Sequence, residues 1–318
     1  MVKLNYEEFK EFCAKNVVKA LGEEKYDAVP RPIRQTDEIV IDSVQIMEKG
    51  MTGGPIPSFR VEPFYSDYCN GKALGEVLRE ILKSIERFLT QPLDVADVSI
   101  FDAFDKAKKN LIIRPISYTD NEILLNEHIY KRIGDIAVVL YMLMHQSDTG
   151  IGSAKVPRGT VEKWGLSDDF LMQVALENTA HLFPPFILPL EKSFLGVESF
   201  SRIPIQNRYF MKPMLRFKLL PSMLNTYIMF IDKSVNGASS VFYPGALERV
   251  ASLLNDDLYL SLPCICEALI HHASQSDPDE LHHSAKRVME GLDPLERLSP
   301  FIYHYSRSDQ KLRMLEAY

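Results

Sequence analysis

Asn225-Thr-Tyr-Ile-Met-Phe-Ile-Asp232 is followed by a polar turn, then by Gly237-Ala-Ser-Ser-Val-Phe-Tyr-Pro-Gly-Ala-Leu-Glu-Arg-Val-Ala-Ser-Leu-Leu254. Asp257-Leu-Tyr-Leu-Ser-Leu-Pro-Cys-Ile-Cys-Glu-Ala-Leu-Ile-His-His272 comes next. Tyr227–Ile231 is a short apolar run, and Asn236-Gly237 is a dipeptide suited to the positive φ of a tight hairpin turn. Ala238 to Tyr243 therefore reads as the returning strand. Pro244 fits the first turn of a helix, where a missing N–H costs nothing. Leu247, Val250, Ala251 and Leu254 then repeat at helical spacing. Leu258 to Leu262 and Glu267 to His271 read as two more strands. The stretch is expected to be a four-stranded sheet with one helix on its face.

Working outward, Asn5 is placed to cap a first helix whose apolar stripe is Tyr6, Phe9, Phe12, Cys13, Val17 and Ala20, ended by Gly22. Tyr26 to Ile33, Glu38 to Met47 and Ile56 to Val61 read as strands. Lys72 to Leu89 reads as a long amphipathic helix and Val98 to Lys109 as a second. Leu111 to Tyr118 carries Pro115 and reads as an edge strand. Arg132 to Met144 is almost continuously apolar from Ile136, the mark of a central strand covered on both faces. Ser167 caps a helix to His181, and Trp164-Gly165 marks the break before it, where the indole should be largely buried. Leu182 to Pro189, with three prolines, reads as a connector. A last amphipathic helix, Pro278 to Gly291, precedes a strand at Phe301 to Tyr305. The fold class is α+β: two domains, each with helices packed on a mostly antiparallel sheet. The division expected is 1–190, an irregular connector 191–224, and 225–318.

Composition narrows the function. Of 318 residues 46% are hydrophobic and 25% charged, values of an ordinary globular chain with a sizeable core. The 43 acidic residues outnumber the 36 basic ones, for a net charge of −7, which argues against a dominant nucleic-acid surface. No apolar run approaches the roughly 18–20 residues of a membrane span, and the N-terminus has no signal core, so a cytoplasmic protein is expected. Cys13, Cys69, Cys264 and Cys266 are too few for a disulfide framework and read as reduced thiols.

The order of several short motifs resembles the domain of unknown function 5688 family of bacterial proteins. The residues that carry the resemblance are Tyr6-Glu7-Glu8-Phe9, Glu48-Lys49-Gly50, Phe64-Tyr65 with Tyr68 and Gly71, and Asp135 to Tyr141. Trp164-Gly165, Asn178-Thr179, Gly237-Ala238 and Tyr243-Pro244-Gly245 complete it. The family's Pro-Ser-Ser-x-His-Glu run is replaced here by Leu262-Pro263-Cys264-Ile265-Cys266-Glu267, which keeps only the glutamate. The resemblance supplies no activity to carry over.

Each candidate chemistry has a plainer competitor. Cys264 and Cys266 with His272, or His271, could ligate zinc. On a strand, residues two apart share a face, so the two cysteines also suit an apolar sheet surface, and no structural metal is expected. His282-His283 with Asp279 and Glu280 sit on an amphipathic helix and suit its solvated side. Asp120, Glu122 and Asp135 could assist metal-dependent hydrolysis, yet caps and turns use the same residues. Ser239-Ser240 lacks a nucleophile elbow. Gly50 to Gly54 lacks the Gly-Lys-Ser/Thr ending of a phosphate loop, so no cofactor is expected. Arg202, Arg208, Tyr209, Phe210, Arg216 and Phe217, with Lys212 and Lys218, interleave cations and rings. That pattern could meet single-stranded nucleic acid or a protein partner, but also suits a linker lying over apolar surface. The function expected is a non-catalytic binding or regulatory module. The alternative is a hydrolase or nuclease whose site assembles from residues distant in sequence.

Overall fold

The computed structural model describes residues 3–50, 56–90, 98–147, 150–194, 203–204, 222–231 and 236–315. The architecture is α+β, with antiparallel sheets, in two compact units, Met1–Val98 and Ser99–Tyr318. Among the described residues no helix is long and apolar enough to cross a membrane.

The first unit opens with α1 (Tyr6–Leu21), closed by a capping box in which Asn5 and Glu8 bond each other's backbone amides. It continues through β1 (Tyr26–Pro30), β2 (Ile33–Arg34), β3 (Val40–Ile41), β4 (Ser43–Glu48), β5 (Ser58–Arg60), α2 (Val61–Cys69) and α3 (Leu74–Thr90). The sheet order is β1-β4-β5, which leaves the proline-bearing β1 at an edge. Phe9, Cys13 and Val17 on α1 and Val77, Ile81 and Ile85 on α3 recur every fourth residue and are all buried in one core.

The second unit runs through α4 (Phe104–Ala107), β6 (Leu111–Ser117), α5 (Glu122–Leu125), β7 (Tyr130–Ile133), β8 (Ile136–Ser147), β9 (Gly150–Lys155), α6 (Arg158–Trp164) and α7 (Asp168–Leu182). It proceeds through β10 (Pro185–Pro189), α8 (Leu190–Ser193), β11 (Ile203–Pro204), β12 (Thr226–Ile231), α9 (Ala246–Leu254), β13 (Leu258–Ser261), β14 (Ala268–His272), α10 (Pro278–Glu290), β15 (Ile302–Ser306) and β16 (Lys311–Met314). β8 is central to a four-stranded sheet, pairing with β6 on one side and with β7 and β9 on the other. Every residue from Ile136 to Leu143 is buried, so its continuous apolar run does mean cover on both faces. β6 is an edge, and α7 completes its hydrogen bonding. The Thr179 hydroxyl accepts from the Ile113 amide at 2.8 Å, and the Asn178 amide donates to the carbonyls of Lys108 and Leu111.

The larger sheet has seven strands in the order β11-β10-β12-β14-β13-β15-β16. Several expectations are corrected here. Ala238 to Tyr243 is not a strand: Gly237–Phe242 is a buried 3-10 turn. Its residues are small and bond locally, Ser240 Oγ to the Gly237 carbonyl and Ser239 Oγ to the Tyr243 hydroxyl, and such bonds compete with a sheet ladder. The Cys266 carbonyl also lies only 1.9 Å from where a Cβ on residue 237 would sit, so glycine alone fits. β12 pairs instead with β10 and β14. Leu182 to Pro189 is thus no mere connector, since five of its residues form β10. Arg132 to Met144 is two strands joined at Gly134-Asp135, and Val98 to Lys109 is a 3-10 turn followed by one short helix. Trp164 is the last residue of α6, at the break before α7 as expected, but it is half-buried rather than largely buried, its Nε1 donating to the Phe101 carbonyl at 3.1 Å.

Candidate functional site

A cleft of about 790 Å³ opens in the second unit between β7 and β16, over α7, α9 and the 3-10 turn 237–242. Each wall follows from local structure. Met172 and Leu176, four apart on α7, and Leu247 on α9 give an apolar floor, continued by Val138 and Val241. Lys131 and Arg132 come from β7, Lys311 and Arg313 from β16. The described lining therefore carries four cations against one carboxylate, Glu248, in a chain whose net charge is negative.

Two of the four cations are already engaged. The Arg132 guanidinium stacks on the Tyr118 ring, 3.8 Å from its centroid, and its Nε donates to the Gly134 carbonyl. Arg313 pairs with Asp309. The ammonium groups of Lys131 and Lys311 have no partner among the described residues, and both side chains are exposed. Tyr243 and Tyr305 also line the cleft. Burial pushes both phenols above their ordinary range, so they are neutral hydroxyls there.

Behind the cleft lies a buried polar knot. Asp135 Oδ1 accepts from Ser299 Oγ at 2.7 Å and from the Tyr303 hydroxyl at 2.5 Å, and that hydroxyl also lies 3.1 Å from the Ile133 carbonyl. Burial raises the Asp135 carboxyl above its usual range, against the pull of the two hydroxyl donors. The knot fixes the turn between β7 and β8. Gly134 in that turn has φ +61°, and a Cβ there would fall 2.6 Å from Met314 Cβ. The two edge strands touch at this point and part along the cleft.

The residues singled out from sequence lie elsewhere. Cys264 and Cys266 are in the loop between β13 and β14, not on a strand, because Pro263 and the bridge from Cys264 to Arg297 end the ladder there. Their thiols hydrogen-bond to each other, which with burial pushes the Cys266 thiol up. His272 is at the far end of β14, 3.3 Å from Asp256, so the structure does not bring these three together. His271 points to the opposite face and is 5% exposed, with Nδ1 3.1 Å from Thr226 Oγ1 and Nε2 3.2 Å from Ser261 Oγ. Burial drives its pKa down to about 4. His282 and His283 bond backbone carbonyls of Pro300 and Asp279. Glu122 accepts from the Tyr118 hydroxyl, and Ser239 and Ser240 are buried in the 3-10 turn. Among the described residues no group of three or more His, Cys, Asp or Glu could hold a metal ion. Arg202, Arg208, Tyr209, Phe210, Arg216 and Phe217 lie outside the described residues, as do residues 51–55. The cleft escaped the sequence reading because its cations alternate with apolar residues on two short strands, a pattern that any solvated edge also has.

A model described as a family of unknown function, DUF5688, matches residues 6–307, and the chain belongs to that family. No curated protein and no solved structure matches the chain. Several of the motifs that carried the resemblance have structural work. Tyr6 and Phe9 pack edge-on against Tyr65, and Phe9 stacks on Tyr68, with centroids 5.0 to 5.4 Å apart. Asn178 and Thr179 complete the edge of β6, and Asp135 ties the knot behind the cleft.

Proposed function

We propose that this member of the DUF5688 family is a non-catalytic binding module of the bacterial cytoplasm whose cleft takes an amphipathic anion. The observation that carries the reading is the arrangement of Lys131, Arg132, Lys311 and Arg313 over an apolar floor. A volume of about 790 Å³ suits a ligand of drug-like size or a short peptide. The floor rewards burial of an alkyl or aliphatic group, at about 25 cal/mol per Å² removed from water. The Lys131 and Lys311 ammonium groups, which have no partner among the described residues, favour a carboxylate or phosphate at the mouth, and charge-assisted bonds of that kind are the stronger ones. The alternative, a hydrolase or nuclease with a site assembled from residues distant in sequence, would need its ionisable groups open to substrate. Among the described residues the buried carboxylate with two hydroxyl donors is Asp135, which is only 6% exposed and does not line the cleft.

Titration calorimetry with three amphiphiles of one chain length tests this: dodecyl phosphate, dodecanol and dodecylamine. The expected order is phosphate tightest, alcohol weaker and amine weakest, with the phosphate preference shrinking as salt screens the charges. Equal affinity for all three, or binding of none, would refute the reading.

A further inference from the structure

Strand geometry identifies which side of β7 and β16 the cleft runs along. Successive side chains on a strand point to opposite faces, so a cleft on a sheet face is lined by every second residue. Here all four residues of β16, Lys311 to Met314, line it, and so do Lys131, Arg132 and Ile133 in succession on β7. The cleft therefore runs along the edges of the two strands. Among the described residues β16 is the last strand of the seven-stranded sheet and pairs only with β15, and β7 ends the other sheet and pairs only with β8. Among the described residues the β16 backbone bonds to β15 and, from the Lys311 amide, to Asp309 in the hairpin turn before it. The edges meet at Gly134 and Met314. Lys131 and Lys311 are each three residues before that contact, about 10 Å along their strands, at the open end.

We infer that the natural occupant of this cleft is an extended acidic peptide that adds a strand to β16, its acidic residues meeting Lys311, Arg313 and Lys131 and its alternate apolar residues entering the floor. The inference rests on the cleft being an anion-binding site. Main-chain bonds to a free edge give such complexes their affinity, and pockets for alternate side chains give specificity. Lysine on an edge strand ordinarily repels pairing with another chain. An acidic strand turns that repulsion into attraction, and so selects the partner by charge. Four residues of β16 span about 14 Å, enough for two alternating acidic and apolar pairs.

The test uses the full chain and the peptide acetyl-Glu-Val-Glu-Val-Glu-Val-amide, competed against bound dodecyl phosphate. Its controls are the Lys-Val counterpart and two analogues N-methylated at alternate amides. The acidic peptide should displace the phosphate, the lysine peptide should not, and at least one methylated analogue should bind about tenfold more weakly or worse, a loss of about 1.4 kcal/mol. Lys311→Glu, an exposed change, should weaken the acidic peptide similarly. If dodecyl phosphate binds and the acidic peptide fails to displace it, the inference is wrong while the anion site stands. If both methylated analogues bind as well as the parent, the peptide does not add as a strand and the inference is wrong. If neither amphiphile nor peptide binds, the anion site itself is wrong.

Discussion

Asp135 Oδ1 accepts from Ser299 Oγ at 2.7 Å although the two residues are 164 apart in sequence. The bond joins the turn between β7 and β8 to the segment entering β15, and Tyr303 reinforces it from β15 itself. It holds the Gly134 turn against Met314, where the two walls of the cleft converge. Tyr303→Phe removes one donor from a buried carboxylate, so a loss of roughly 2–3 kcal/mol is expected. For a unit of this size that is a fall in Tm of about 5–10 °C by calorimetry. A shift of less than a degree would show that the knot contributes nothing.

His271 gives stability a pH dependence of known sign. Its folded pKa is about 4 against an ordinary 6.5, because burial disfavours the imidazolium. The unfolded chain therefore binds more protons between those values, and stability rises with pH across them. The contribution is fully present above pH 6.5 and is lost as pH falls toward 4, amounting to about 3 kcal/mol at one proton. Urea titrations from pH 4 to 7 should show His271→Gln with a flatter profile than the wild type. Parallel profiles would mean that the imidazole does not resist protonation.

Gly237 is expected to tolerate no side chain. A Cβ there would overlap the Cys266 carbonyl, which is backbone and cannot swing aside. Gly237→Ala should destabilise by roughly 2–3 kcal/mol, as overpacking does. Gly159 in α6 has nothing within 4 Å of its would-be Cβ, and Gly159→Ala should stabilise by about 0.5–1 kcal/mol as helical alanine replaces glycine. Equal effects in denaturant titrations would contradict the packing described for the 237–242 turn.

Thr179→Val should leave the Ile113 amide without its acceptor on the edge of β6. An orphaned buried donor costs about 1–3 kcal/mol. Hydrogen exchange at Ile113 should accelerate more than at Ile112, and unchanged protection there would rule out the helix-to-edge bond.

How far the fold is legible depends on what each element needs. β8 could be read because nine apolar residues in succession suit only a covered strand, and α1 and α3 because their buried residues recur every fourth position. Ser167 does cap α7, accepting from the Phe170 amide. The 237–242 turn could not be read, since Asn236-Gly237 fits a hairpin equally well and only the approach of the Cys266 carbonyl excludes one. β10 was hidden by its prolines, which its ladders nonetheless accommodate at the strand's two ends. The cleft is assembled from two edges at opposite ends of the second unit's sequence, and no local spacing records that meeting.

If the Lys131 and Lys311 ammonium groups, which have no partner among the described residues, select the ligand over the apolar floor, reversing their charge is the most direct test. Lys131→Glu with Lys311→Glu alters two exposed side chains that have no partner among the described residues, so the fold should persist by circular dichroism. Calorimetry should then find dodecyl phosphate bound at least about a hundredfold more weakly, near 3 kcal/mol, and dodecylamine bound more tightly than in the wild type. A folded variant that binds dodecyl phosphate as the wild type does would contradict the account.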